Sequence, residues 1–259
     1  MSADCLYDEL DPLYRAIWGR SLHHGLWWNG SEDIPQALRN LTELVSSLLP
    51  LEGTIADIGC GYGTLARTMV RHPRIRILAN TASSTQAALI PNHPALEVWE
   101  GDWLAQSLAP ESLDAAVAVE SLSYFPSFEE FLHHTKPALK PGARLVISDW
   151  FSDTGTSPLL RYLAKAGHLP PWRSFTSLVS AAKGIGLTRV SSRDLSQQAA
   201  LTWSRLLGRS LALPFRQPRL IPQLLLQAWK RPSLLSAFPL LRLAYHCGEL
   251  RYHLVAFQK

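Results

Sequence analysis

The chain reads as an α/β protein: a seven-stranded, mostly parallel sheet with helices on both faces, an N-terminal helical cover, and a helical lid before the last strand. Three observations predict this. Short β-branched and apolar runs alternate with helix-length segments through the middle of the sequence, the pattern of a parallel sheet wrapped by helices. The first run opens into glycines at alternate positions, "IADIGCGYGTLA" from Ile55 to Ala66, which let a strand turn into a helix. Residues 199–248 are helical in character, interrupted by Pro, and too long for a loop in a compact domain. At 259 residues there is room for one core domain and a subsidiary lid.

In chain order, residues 1–50 read as two helices, "PLYRAIWGRSL" and "DIPQALRNLTELVSSLL", joined by "HHGLWWNG"; they form the cover. The core, 51–198, holds strands at 53–59, 74–81, 95–102, 113–121 and 143–151, and a sixth in "LTRVSSRDLS" after the helix "SFTSLVSAAKGIG". Helices fit between the strands: "TLARTMVRH", "SSTQAALIPN" and "SFEEFLHHTKPAL". In the last of these Ser127 suits an N-cap, with Glu130 three residues on as its capping-box partner. Pro141-Gly142 in "LKPGARLVIS" reads as the turn before the fifth strand. The lid spans 199–248, and 249–259, with "RYHLVAFQK", supplies the alternating seventh strand.

Composition bounds the function. Apolar residues make up 47% and charged residues 18%, which excludes a disordered or fibrous chain. Nine Trp suit a deep apolar pocket, although ordinary core packing accounts for most of such a number. Cys5, Cys60 and Cys247 are too scattered for a disulfide framework or a metal site and fit reduced thiols. The N-terminus lacks the basic start and apolar core of a secretion signal, and no run approaches the roughly 18 apolar residues of a membrane span, so a soluble cytoplasmic protein is expected.

The net charge of +4 is unevenly placed: seven Arg and Lys against Glu249 alone in 201–250, and an acidic excess in 1–50. The basic lid reads as a solvated face, a dock for an acidic lipid surface, or a collar for an anionic substrate. Nucleic acid is excluded as a partner, because these basic residues lie among Leu and Pro without an aromatic stacking pattern. The histidine pairs lack matching carboxylates or thiolates, so no metal is expected. The oligomeric state has no signature in the sequence.

The glycine loop carries the chemistry. A nicotinamide-binding loop reads G-x-G-x-x-G with a pyrophosphate on the helix N-terminus. Here the spacing is G-x-G-x-G at Gly59, Gly61 and Gly63, and Asp57 precedes it. An anion beside bare backbone suits a cationic ligand bearing ammonium and sulfonium groups, and suits a pyrophosphate badly.

At these residues the sequence resembles the class I S-adenosylmethionine-dependent methyltransferases, over nearly the whole chain and with several motifs in order. "DIGCGYG" is similar to their first motif, in which backbone at Gly59 and Gly61 holds the methionine part and Asp57 anchors the loop. "ANTASSTQ" resembles the variant of the tocopherol-type small-molecule branch, which implies Thr81 and Gln86 near the ribose. The acidic residue that most relatives carry at this strand end is missing, and Asn80 stands in its place. "EGDWL" matches the adenine motif, implying that Asp102 accepts from the exocyclic amine and that Trp103 offers its amide and packs on the ring. "VESLSYF" resembles the segment lining the transfer cleft, with Glu120 and Ser121 facing the cofactor. The fold implied is Rossmann-like, and the cofactor is S-adenosylmethionine.

The resemblance extends to "YDELDPLYRAIWGRSLHHGLWW", which implies Tyr7 and Tyr14 near the pocket mouth and residues 22–28 shielding the sulfonium from water. Methyl transfer is an in-line displacement governed by positioning. If the acceptor is a hydroxyl, a base must take its proton, and His23 and His24 in the cover are the candidates; packing or backbone bonding is their competing reading. Tyr124 stands where relatives commonly carry His, and suits an orienting role more than a base. Asp149 and Trp150 are even between pocket lining and packing, and Asp194 between the pocket and a loop cap. A lid dominated by Leu, Phe and Trp implies a lipophilic small-molecule substrate of natural-product type, with oxygen ahead of carbon as acceptor. Two alternatives stay open: a cofactor-binding cyclase or rearrangement catalyst that transfers no methyl, and a membrane-associated module that keeps the cofactor only structurally.

Overall fold

A computed structural model of the chain describes residues 3–154, 157–167, 172–231 and 234–259. Helices α1 (Ala3–Ile17) and α2 (Ile34–Ser46) precede a core of alternating elements. These are β1 (Gly53–Ile58), α3 (Thr64–Met69), β2 (Ile75–Thr81), α4 (Ser84–Leu89), β3 (Leu96–Glu100), β4 (Leu113–Val119), α5 (Phe128–Thr135) and β5 (Leu139–Phe151). There follow α6 (Pro158–Gly167), α7 (Phe175–Gly184), β6 (Thr188–Asp194), α8 (Ser196–Arg216), α9 (Ile221–Lys230), α10 (Leu234–His246) and β7 (Arg251–Gln258).

The seven strands form one sheet in the order β3-β2-β1-β4-β5-β7-β6. Pairs β1–β2, β1–β4, β2–β3 and β4–β5 are parallel, and β7 runs antiparallel to both β5 and β6. Because side chains alternate across a strand, each central strand feeds two cores. Ile55, Val117, Val146 and Leu254 pack on one side with α1, α2, α8 and α10. Ala56, Ala116, Leu145 and Val255 pack on the other with α5 and α7. Strand order reverses between β1 and β4, and the crevice outside their carboxyl ends is where open α/β sheets bind ligands.

Three local expectations are corrected. Pro141-Gly142 is not a separate turn before β5; it lies in a bulge within a longer strand. Register jumps from Leu113↔Leu139 to Ala115↔Arg144. Gly142 takes φ +79°, and its N–H donates to the Lys259 carbonyl at 2.9 Å, so the strand continues through it. Helix α1 begins well before Pro12 and runs through it, because Leu10, Leu13 and Ile17 give the segment a buried face. Helix α6 is additional to the predicted elements; it packs its buried Leu160 and Leu163 into the core that also holds α10 residues. The capping box is present in part: Ser127 Oγ accepts the Glu130 N–H at 3.0 Å and donates to the Glu130 carboxylate at 3.3 Å.

The segment after α1 is wedged between α2 and α8. Leu26 N–H donates to the Ala37 carbonyl at 2.8 Å, and Gly25 N–H and Trp27 Nε1 both donate to Thr202 Oγ1, at 2.9 and 3.1 Å. Helix α1 is itself tied to the loops that follow β1 and β2. Tyr62 donates to Asp11 at 2.5 Å and Ser83 to Asp8 at 2.5 Å. The Tyr7 side chain lies outside what the structure describes; Tyr14 sits edge-on to Trp18.

Candidate active site

A cleft of about 470 Å³ opens at the carboxyl ends of β1, β2 and β4. Two glycines shape it. Gly59 takes φ +71°, and a Cβ there would lie 2.3 Å from Ser121 Cβ, so only glycine lets the β1 and β4 ends come this close. Ser121 Oγ closes the contact by donating to the Ile58 carbonyl at 2.7 Å. Gly61 takes φ +56°, and a Cβ there would meet nothing within 4 Å; the loop presents bare backbone to open space. Gly63 starts α3 and is in neither cavity wall.

The second wall comes from β2 and α4. Thr81 Oγ1 donates to Gln86 Oε1 at 2.8 Å, and both side chains are buried. The Asn80 amide donates to the carbonyls of Trp99 and Gly101, at 3.1 and 2.9 Å, fixing the end of β3 beside the cleft. The third wall is the turn after β3. Asp102 is exposed, and its Oδ1 accepts the Leu104 N–H at 2.9 Å. The Trp103 indole is buried, donates to Thr135 Oγ1 at 3.0 Å and stacks on Trp99. Tyr124, partly exposed, and Leu22 of the cover complete the rim.

Asp57 lies on the far side of the glycine loop, lining a small cavity of about 50 Å³ with His23 and Cys60. Burial pushes its carboxyl up to about 7, the Ala66 backbone N–H opposing the shift, and Oδ2 has no hydrogen-bond partner among the described residues. The Gly59, Gly61, Leu22 and Val119 walls are shared by both spaces. Asp57 is therefore not the ready anion that the motif alone implies: β1 lies between β2 and β4, and that burial desolvates its carboxyl.

The two histidines part company. His23 Nδ1 is 2.7 Å from the His24 carbonyl, and burial lowers its pKa. His24 is fully buried, set back from the cleft behind Glu120. Its Nδ1 lies 3.0 Å from Glu120 Oε2 without an in-line hydrogen bond, and its Nε2 is 3.0 Å from the Tyr245 hydroxyl. Around the ring stand Trp150, Trp203 and Tyr252. Glu120 is the cleft-facing member of this group. It takes φ +53°, a left-handed conformation costly for a residue with a Cβ. It is held there by its N–H to the Ser148 carbonyl at 2.8 Å and by the His24 N–H and Tyr252 hydroxyl on Oε1, at 2.6 and 2.8 Å. Burial works against its charge, but the His24 ring and backbone outweigh that and hold the carboxyl below its usual range.

The contacts of Tyr245 and Tyr252 with His24 and Glu120 span more than a hundred residues, beyond any local sequence signal. Asp149 does not line the cleft; it accepts the Leu122 and Trp150 N–H groups, and burial with the nearby Glu120 charge pushes it up to about 8. Asp194, at the end of β6, accepts the N–H of Ser196, the first residue of α8, at 2.9 Å; the N-cap position itself is Leu195.

A family model described as a methyltransferase domain matches residues 31–192. The chain belongs to this family. It is an S-adenosylmethionine-dependent methyltransferase, and S-adenosylmethionine is its cofactor. The tocopherol-type resemblance is met by a rice (Oryza sativa subsp. japonica) relative named "Probable tocopherol O-methyltransferase, chloroplastic". It is 24% identical over 282 residues, covering 98% of this chain and 76% of the relative. Among solved structures, the mycolic acid cyclopropane synthase CmaA1 with SAH superposes with TM-score 0.84 at 15% identity, covering 98% of this chain and 95% of that one. The [4+2]-cyclase SpnF superposes with TM-score 0.81 at 20% identity, over 99% and 95%. These likenesses are of fold. Two features of the site itself fit the cofactor: bare backbone facing open space at Gly61, and a buried, unpartnered Asp57 oxygen that a cationic ligand group would satisfy.

Proposed function

We propose that the protein methylates an oxygen of a lipophilic small molecule of natural-product type, carbon being the second choice of acceptor. The observation that carries this reading is the cleft at the β1–β4 switch point, in which bare backbone at Gly59 and Gly61 faces the Thr81–Gln86 pair and Glu120. Its size is that of a site for a cofactor-sized ligand. The oxygen acceptor draws support from the rice relative's O-methyltransferase name.

When bound, S-adenosylmethionine supplies an electrophilic methyl group on a sulfonium, a good leaving group. Thr81, Gln86, Asn80 and Asp102 would hold its nucleoside part, the glycine loop and Asp57 its methionine part. Leu22 of the cover lines the cleft, where it would shield the bound sulfonium from water. Glu120 Oε2 is the chain's proton acceptor at the cleft wall. His24 Nδ1 stands 3.0 Å from that oxygen, so ring and carboxylate form one unit in which the histidine helps to hold Glu120 below its usual range. Tyr245 and Tyr252 fix the orientation of that unit, and burial together with the Glu120 charge keeps both phenols protonated. Tyr124 at the rim orients the acceptor.

Incubating the protein with a lipophilic extract and methyl-labelled cofactor tests the proposal. Label in an extractable product, absent without protein, supports it; a new cofactor-dependent product without label would instead mark a cyclase or rearrangement catalyst.

A further inference from the structure

Helix α9 packs Leu224 against the core, yet much of its apolar surface is turned outwards. Its polar side faces the protein: Gln227, though polar, is buried, and it donates to Glu9 of α1 at 3.1 Å. Lys230 and Arg231 converge on the same carboxylate at 2.9 and 2.6 Å. A second apolar stripe faces out. Ile221, Leu225 and Trp229, spaced four apart on one stripe, are exposed, Trp229 to 81% and Leu225 to 66%. On the last turns of α8, just before it, Leu211 and Phe215 repeat the spacing, and Phe215 is 89% exposed. A helix in water turns such a stripe inwards.

The charge beside the stripe identifies what covers it. Residues 196–248 contain no Asp or Glu. Arg216 and Arg219, in the turn joining α8 to α9, are exposed and make no ion pair among the described residues. Trp and Phe beside unpaired Arg form the pattern of an interfacial membrane surface, where rings enter the headgroup boundary and cations meet lipid phosphates. A second copy of this chain fits poorly, since a two-fold interface would bring arginine towards arginine. No helix among the described residues is long and apolar enough to cross a membrane, so the contact is peripheral.

We infer that the outward stripe of α9 and the end of α8 dock on an anionic phospholipid bilayer. Docking sets the lid against the compartment in which a lipophilic acceptor partitions. Helix α8 connects the two places directly, because its Trp203 stacks on Trp150 and packs edge-on to His24. The inference does not depend on which molecule is methylated.

Flotation of the full chain with vesicles of phosphatidylcholine alone, and with added phosphatidylglycerol, tests it. Wild type is expected to float with the anionic vesicles only. R216S/R219S should lower partition about 30-fold, two surface cations being lost. L225S/W229S should lower it at least about tenfold through lost apolar burial. Both variants keep the wild-type melting temperature and cofactor affinity, because the altered side chains are exposed; those two readouts separate a docking failure from a failure of the methyltransferase reading. Absence of wild-type flotation, equal flotation on neutral vesicles, or flotation undiminished in both variants overturns the inference. So does a concentration-dependent dimer that L225S/W229S abolishes without any vesicle binding, which would give the stripe to a second copy.

Discussion

Replacing Asp57 with Asn probes the electrostatics beneath the glycine loop. Burial moves this carboxyl from 3.8 to about 7, and Oδ2 is unpartnered. A rise of roughly three units corresponds to about 4 kcal/mol, the cost of carrying the charge in the folded state. The sign follows from the raised folded-state value: the folded form binds the proton more tightly than the unfolded chain. The cost is therefore nil below about pH 4, grows as pH rises towards about 7, and is level above that. The variant removes the charge but adds a buried amide donor, at about 1 kcal/mol. Urea unfolding without cofactor should thus find D57N more stable than wild type by about 3 kcal/mol near pH 8, and slightly less stable near pH 4. Other titrating groups are common to both proteins and cancel in the difference. A difference that does not change with pH, or a wild type more stable near pH 8, would refute the reasoning. The same variant should bind S-adenosylmethionine more weakly, so stability and binding move in opposite directions.

G59A should lose about 2–4 kcal/mol in thermal unfolding, from overpacking against Ser121 and from the left-handed backbone. Adding S121G should recover the steric part, which a simple loop-flexibility effect would not allow. E120Q should lower methyl transfer by about 100-fold or more to a hydroxyl acceptor, with cofactor affinity retained. H24N should lower turnover similarly and shift the pH–rate profile, whereas H23N should leave that profile in place, its ring facing the small cavity. An unchanged pH profile in H24N would leave His24 a packing residue.

Much of this architecture could be read from local signals. Strands such as "TIADIG" and "RLVISDWF" are apolar runs buried on both faces, and the glycines after β1 announce a sharp turn whatever surrounds them. Pro141-Gly142 misled because a turn signal and a bulge signal look alike until Gly142 finds the Lys259 carbonyl at the other end of the chain. The cleft walls at Thr81, Gln86, Asp102 and Glu120 lie close to motif positions and were legible. The tie from Glu120 back to His24 was not, since 96 residues separate them and neither type signals the other. The desolvation of Asp57 and the outward stripe of α9 are likewise properties of assembly: the first needs three strands in place, the second needs Glu9 of α1 on the polar side.

Calorimetric titration of S-adenosylmethionine into wild type and G61D tests the central claim most directly. A Cβ at Gly61 would meet nothing within 4 Å, and Asp tolerates a left-handed φ of +56° better than most residues, so G61D should fold at a modest cost in stability, as judged by circular dichroism, and fill the space with a carboxylate. Saturable binding by wild type and none by folded G61D is the predicted result; equal binding by both would contradict the placement of the cofactor at this loop.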